Sequence, residues 1–236
     1  MKYRVLATDY DGTIAFEGRV DDPTLEALRR ARAAGLRLVM VTGRELTDLF
    51  NVFSHAELFE RIVAENGAIV YNSAARSIRT LASAPPPALV ELLTLQSIPF
   101  SVGHSIVATV EPYEQQVLAA IRDLGLEWHV IFNKGSVMAL PSEITKATGL
   151  AAVLEEFAVN AEQTIGVGDA ENDQAFLRLC GLAAAVENAL PAVKAMADLV
   201  TVAPRGAGVA ELIERVLTGA CDDIAPNVAR SHPLPQ

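Results

Sequence analysis

Cysteine is nearly absent: Cys180 and Cys221 are the only two in 236 residues. Two thiols make neither a multi-cysteine metal centre nor a disulfide framework, so both read as ordinary thiols of a reducing compartment. Basic residues are scarce as well. Nineteen Lys and Arg face 29 Asp and Glu, a formal charge of −10. Covering the phosphates of a nucleic acid or an anionic membrane takes clustered cations, so neither is an expected partner, although a local phosphate site remains open. No apolar run reaches the roughly 18 residues of a membrane-spanning helix. The opening "MKYRVLATDYDG" is interrupted by acids too early to serve as a leader. The expectation is a cytoplasmic protein.

Apolar material is plentiful, at 51% of the chain. It falls into short runs separated by helical periodicity. Strands are predicted at Tyr3–Thr8, Leu36–Val41, Ile62–Ala64, Thr164–Val167, Leu182–Val186 and Leu199–Val202, each apolar enough to be covered on both faces. In "DDPTLEALRRARAAG", Asp22 can cap a helix, Pro23 suits its first turn and Gly35 can end it. Further helices fit Glu45–Phe53, Lys146–Phe157, Asn172–Leu179, Pro191–Ala197 and Val209–Leu217. Strand alternating with helix predicts an α/β fold, a doubly wound, Rossmann-like parallel sheet.

One stretch breaks that rhythm. Residues 82–141 read helix, strand, strand, helix, strand, strand, which predicts a small α+β cap inserted into the core. The core would then comprise residues 1–81 and 142–219. The proline-rich remainder, 220–236, lacks any periodicity and is expected to be disordered.

In such a sheet, ligands sit beyond the carboxyl ends of the strands. Asp9 and Asp11 in "ATDYDGTIA", Thr42 in "VTGR", and Asp169, Asn172 and Asp173 in "GDAEND" all fall on that edge, and Lys146 opens a helix there. Each has an ordinary explanation. Asp-Gly makes turns, an acidic loop caps helices, and a lone lysine is usually solvated. Yet a lysine in a helix's first turn opposes the macrodipole unless an anion lies nearby. Two acids one residue apart repel unless both face water or share a cation. Their joint arrival at one edge favours the cation. Asp9, Asp11, Asp169 and Asp173 would suit a hard divalent ion, magnesium being the one that takes few carboxylates and shares a substrate phosphate. Thr42, Lys146 and the amides near Gly12 and Gly43 would face the phosphate.

These residues resemble the haloacid dehalogenase-like phosphatases, in the Cof-type branch (subfamily IIB) whose α+β cap lies between the second and third motifs. "DYDGT", "VTGR", Lys146 and "GDAEND" match its four motifs in order, and "AENGAIV" and "AVENALPAVKAMAD" also look like that branch. The resemblance runs from Tyr3 to about Leu217. It implies a magnesium-dependent phosphatase for a small phosphorylated metabolite, a sugar phosphate or a small acid such as phosphoglycolate. Asp9 would be the nucleophile and Asp11 the general acid and base. Thr42, Gly43, Lys146, Asn172 and Gly12 would hold phosphate. Asp9, the Asp11 carbonyl and Asp169 would bind the metal, with Asp173 orienting its waters. An acid at position 11 separates the family's phosphatases from its dehalogenases. Tyr10 and Ala170 depart from the usual residues without removing a reacting atom. Arg44 either supports the phosphate or pairs with a carboxylate, and His104 either reaches the substrate or is an exposed turn residue. Phosphoryl transfer to a sugar acceptor, a receiver-like signalling module and a non-catalytic binding module are the alternatives. Nothing in the sequence speaks to oligomeric state.

Overall fold

The structure, a computed structural model, describes residues 2–133 and 135–231. Its core strands are the apolar runs: β1 (Val5–Thr8), then α1 (Asp22–Ala33), β2 (Arg37–Val41), α2 (Leu46–Val52), β3 (Arg61–Ala64), β4 (Ile69–Asn72) and β5 (Ser77–Thr80). The inserted part follows as α3 (Pro87–Leu95), β6 (Ser101–Val102), β7 (Val107–Val110), α4 (Glu114–Asp123), β8 (Trp128–Asn133) and β9 (Ser136–Pro141). The chain returns to the core with α5 (Lys146–Phe157), β10 (Thr164–Gly168), α6 (Gln174–Leu179), β11 (Leu182–Ala185), α7 (Pro191–Met196), β12 (Leu199–Val200) and α8 (Arg205–Leu217).

The large sheet has the order β12-β11-β10-β1-β2-β3-β4-β5. β1 is central, and its last residue Thr8 lies opposite Met40 of β2 and Val167 of β10, all parallel. The chain winds one way through β2 and β3 and the other way through β10, β11 and β12. A crevice therefore opens beyond the ends of β1 and β10, the place where such folds bind ligands. β1 through β3 and β10 are buried along almost their whole length, as strands covered on both faces must be.

Several local expectations need correction. β4 and β5 form an antiparallel hairpin that extends the parallel sheet. β5 is exposed throughout, so it carries no alternation that the sequence could betray. Asp21, not Asp22, caps α1, its side chain accepting from the Thr24 amide. α8 starts at Arg205, one turn before the predicted Val209, because Pro204 can precede a helix as its extended cap residue. Beyond Gly219 the described residues are mostly exposed but make specific contacts with the core. Cys221 is buried among the core side chains, and Asn227 donates to the Ala195 and Ala197 carbonyls. Residues 232–236 lie outside the described residues.

The inserted part has its own antiparallel sheet, β6-β7-β9-β8. One face is covered by α3 and α4, and Leu89, Leu93, Val107, Val117, Ile121 and Ala139 form a core separate from the main one. Burying each of the larger of these side chains stabilises by about 1.5–3 kcal/mol. The predicted succession of elements is the observed one. Among the described residues, no helix is long and apolar enough to cross a membrane.

Candidate active site

Asp9 follows β1 directly, and its amide continues the ladder by donating to the Val167 carbonyl at 3.0 Å. The chain then turns sharply, with the amides of Ile14 and Ala15 donating to the Tyr10 carbonyl and Gly12 at a φ of +89°. Tyr10 is directed into the core, edge-on to Phe53, and its hydroxyl donates to the Gly18 carbonyl. The two acids are thereby parted: Asp9 is buried and Asp11 is partly exposed.

Lys146 reaches Asp9 because α5 begins at the right height. Thr145 caps it reciprocally with Thr148. The start of α5 lies against the turn after β3 with no side chain between them. A Cβ on Gly67 would sit 1.9 Å from the Thr145 carbonyl oxygen, and one on Gly149 2.4 Å from Val63 Cγ1. The Lys146 Nζ donates to Asp9 Oδ1 and to Asp173 Oδ1, both at 2.6 Å. Asp173 Oδ2 accepts from the amides of Asp169 and Ala170 at 2.8 and 2.9 Å, which folds the "GDAEND" loop over the end of β10. Thr13 Oγ1 donates to Asp169 Oδ1 at 3.3 Å.

Electrostatics inside this pit are tightly linked. Burial pushes the Asp9 carboxyl up, to about 8, and Asp173 and Asp169 add to the rise against the opposing pull of Lys146. Burial alone would depress the Lys146 ammonium, but Asp173 and Asp9 outweigh it and hold it above its ordinary range. One ammonium thus faces three buried carboxylates. Asp9, Asp169 and Asp173 each offer an oxygen within 4.8 Å of the others. An all-oxygen, net negative donor set suits a hard divalent cation such as magnesium and not a metal that prefers nitrogen or sulfur. The residues present fit the ion.

A pH prediction follows from Asp9. A carboxyl whose folded value is raised stabilises the fold below its unfolded value of roughly 4, and that contribution is lost as pH climbs to about 8. Thermal melting in excess chelator should therefore drop between about pH 6 and about pH 8.5, and magnesium should shrink the drop by balancing the ionised carboxylates. Identical pH profiles with chelator and with magnesium would refute the coupling.

The other predicted site residues divide. Asp11, Gly43 and Arg44 line, with Asp9, a cavity of about 850 Å³ between the large sheet's edge and the inserted part. Arg44 pairs with carboxylates in this structure. Its Nε and Nη2 grip Asp11 at 2.6 and 2.8 Å, and Nη1 pairs with Asp48. Thr42 is buried at the pit with its Oγ1 accepting from the Arg44 amide. Asn172 donates to Asn66 Oδ1 at 3.0 Å and keeps its own Oδ1 buried without a partner, a position for a further ligand. Gly12 is a correction: its amide is engaged by the Ala15 carbonyl and its carbonyl by Asn188 Nδ2, so its part is to shape the turn. His104 is another. It does not line the cavity; its ring Nδ1 lies 3.1 Å from a buried carboxylate, Glu65.

A family model described as haloacid dehalogenase-like hydrolase matches residues 6–116 and 105–213. The chain belongs to the haloacid dehalogenase-like hydrolases. The phosphoglycolate phosphatase of Methanothermobacter thermautotrophicus is 31% identical over 221 residues, covering 91% of this hydrolase and 99% of that protein. Phosphoglycolate phosphatase 2 of Saccharolobus solfataricus is 27% identical, with coverages of 91% and 93%. Among solved structures, a haloacid dehalogenase-like hydrolase from Bacteroides thetaiotaomicron superposes with a TM-score of 0.77 at 23% identity, covering 91% and 99%. A subclass IIB sugar phosphatase does so at 0.74 and 22%, covering 90% and 98%. At those identities the structures attest the shared fold, core and cap together. Family and buried aspartate cluster make this hydrolase a phosphohydrolase.

Four residues around the hydrolase's site carry contacts that the sequence alone does not assign. Asp48 sits one helical turn after Arg44, a spacing that was available as a signal. Asn188 ties the Gly12 carbonyl to the Arg205 amide across 176 and 17 residues of chain, and no local pattern foretells that. Glu65 and Asn66 stand at the end of β3, where two polar residues in succession mark the ligand edge as clearly as Asp9 does.

Proposed function

We propose that this hydrolase releases phosphate from a small phosphomonoester through an aspartyl phosphate formed on Asp9. The observation that carries the proposal is the pairing of a buried, Lys146-held Asp9 with an Arg44-held Asp11 at the wall of one cavity. Asp9 attacks phosphorus, its Oδ–P bond forming as the bond to the leaving oxygen breaks. Asp11 gives that oxygen a proton, then takes one from the water that cleaves the acyl phosphate, freeing inorganic phosphate and restoring Asp9. Help of this kind contributes about 10²–10⁴ in rate. Arg44 fixes the plane of Asp11 by donating to both of its oxygens. In this proposal Lys146, Thr42 and Gly43 hold the phosphoryl oxygens, whose charge must be stabilised in flight. Magnesium held by Asp9, Asp169 and the Asp11 carbonyl would supply positive charge to that phosphoryl group, with Asp173 orienting the surrounding water.

Residues 82–141 act as the cap in this proposal, closing over a core of 1–81 and 142–219. Both sides of the cavity offer hydroxyl and amide groups, among them Thr47, Asn51, Ser101, Thr109 and Ser136, and the core side adds carboxylates. That chemistry supports a hydroxylated leaving group, as in a sugar phosphate. The curated relatives' names support phosphoglycolate, and among the described lining residues Arg44 is the cation its carboxylate could approach. A panel containing both kinds of ester, scored by phosphate release with magnesium and with excess chelator, tests the proposal. Release should require magnesium, and undiminished release in chelator would count against it.

A further inference from the structure

Glu65 takes no part in the chemistry above, yet it is fully buried. It follows β3 with a left-handed φ of +50°, and Asn66 follows at +53°. Neither is glycine, so the surroundings hold both in a conformation that L-residues disfavour. The Glu65 carboxylate crosses to the cap. Its Oε1 accepts from the His104 amide at 2.9 Å and its Oε2 from the Ser105 amide at 2.8 Å, with His104 Nδ1 at 3.1 Å. Consecutive backbone amides converging on one carboxylate form an anion nest. It is a close fit, since a Cβ on Gly103 would lie 2.8 Å from the carboxylate atoms. The next residue, Ile106, packs with Ala68, Leu140 and Ile144 and lines the large cavity.

The same two residues grip the core. The Glu65 amide donates to the Arg44 carbonyl and the Asn66 amide to the Thr42 carbonyl, at 3.0 and 3.1 Å. Asn66 Oδ1 accepts from Asn172, and Asn66 Nδ2 contacts Met138 Sδ on the cap strand β9. We infer that Glu65 is a positioning residue that seats the cap turn Gly103–Ile106 on the core, setting the cap wall of the cavity against the Thr42–Arg44 loop. Its kinetic consequence rests on the phosphatase proposal; the seat itself does not.

Glu65→Gln keeps the shape but leaves one acceptor oxygen, so one of the two amides loses its partner. Amide hydrogen exchange on the full-length protein should speed up at His104 and Ser105 by about tenfold or more while α5 is unchanged. Gly103→Ala disturbs the same contact from the cap side and should speed the same amides. In magnesium-dependent hydrolysis of p-nitrophenyl phosphate, KM should rise about fivefold or more while kcat stays within about twofold, because the wall that holds the ester has loosened and the reacting groups have not moved. A loss of folded enzyme would do the reverse, lowering kcat at constant KM. Unchanged exchange at His104 and Ser105 in both variants, or a fall in kcat at constant KM, would overturn the inference. If the native chain left the ester intact, the phosphatase proposal would fail, while the exchange measurement would still decide the seat.

Discussion

Asp9→Asn should release phosphate about 10⁴-fold or more slowly than the native chain, and should do so without unfolding. The amide has the carboxylate's shape, so the 3.0 Å bond from the residue 9 amide to Val167 and the turn behind it stay in place. What disappears is the nucleophilic charge. The folded state also gains something, because burial and two neighbouring carboxylates all disfavour a charged group at this position. A neutral side chain removes that repulsion and leaves Asp173 as the partner of Lys146. In chelator the variant should therefore melt no lower than the native protein. Measured together, phosphate release and melting temperature separate lost chemistry from lost structure. Retained turnover would remove Asp9 from its role, and a collapse in melting temperature would mean that its charge is structural.

Lys146→Met should have the largest effect on stability. The ammonium is 2% exposed and bonded to two carboxylates that are themselves buried. Methionine is close in length and apolar, so packing against Phe176 is largely kept, but Asp9 and Asp173 are left facing each other with no cation between them. Removing one partner from a buried ionic cluster costs about 3–5 kcal/mol. For a domain of this size that corresponds to a fall of roughly 6–20 °C in Tm. Magnesium should restore part of the loss, because an ion bound by the folded state alone stabilises it. Turnover should stay low even then, since a phosphoryl oxygen has lost its ammonium. A melting temperature within about 2 °C of native in chelator would show that the three carboxylates do not depend on Lys146.

The reacting groups were legible in the sequence because each interrupts an apolar strand or opens a capped helix. Asp9 ends the run before it, Asp169 ends another, and Lys146 stands at a helix start that the dipole disfavours. These are local conflicts, and local conflicts can be seen without coordinates. β5 could not, since an edge strand exposed along its whole length leaves no buried face to read, although β4 begins with the apolar pair Ile69 and Val70. Arg44 was ambiguous for a different reason. A guanidinium suits a phosphate and a carboxylate equally, and nothing local in the sequence brings Asp11 beside it. The partners of Gly12 and His104, namely Ala15, Asn188 and Glu65, follow from how the chain turns and not from their neighbours in sequence. Packing at a distance also explains the contacts made beyond Gly219. Its composition is that of a loose end, but Cys221 and Asn227 find partners on a surface formed by residues well before them.

β1 has β10 as an immediate neighbour, although more than half of the chain separates them. During synthesis, Asp9 therefore leaves the ribosome long before Lys146, Asp169 or Asp173 exists, while the inserted sheet, made from nearby stretches, can close on itself earlier. Until those residues are made, Asp9 has neither its ammonium partner nor the acids beside it, so the pit assembles only once β10 has docked against β1.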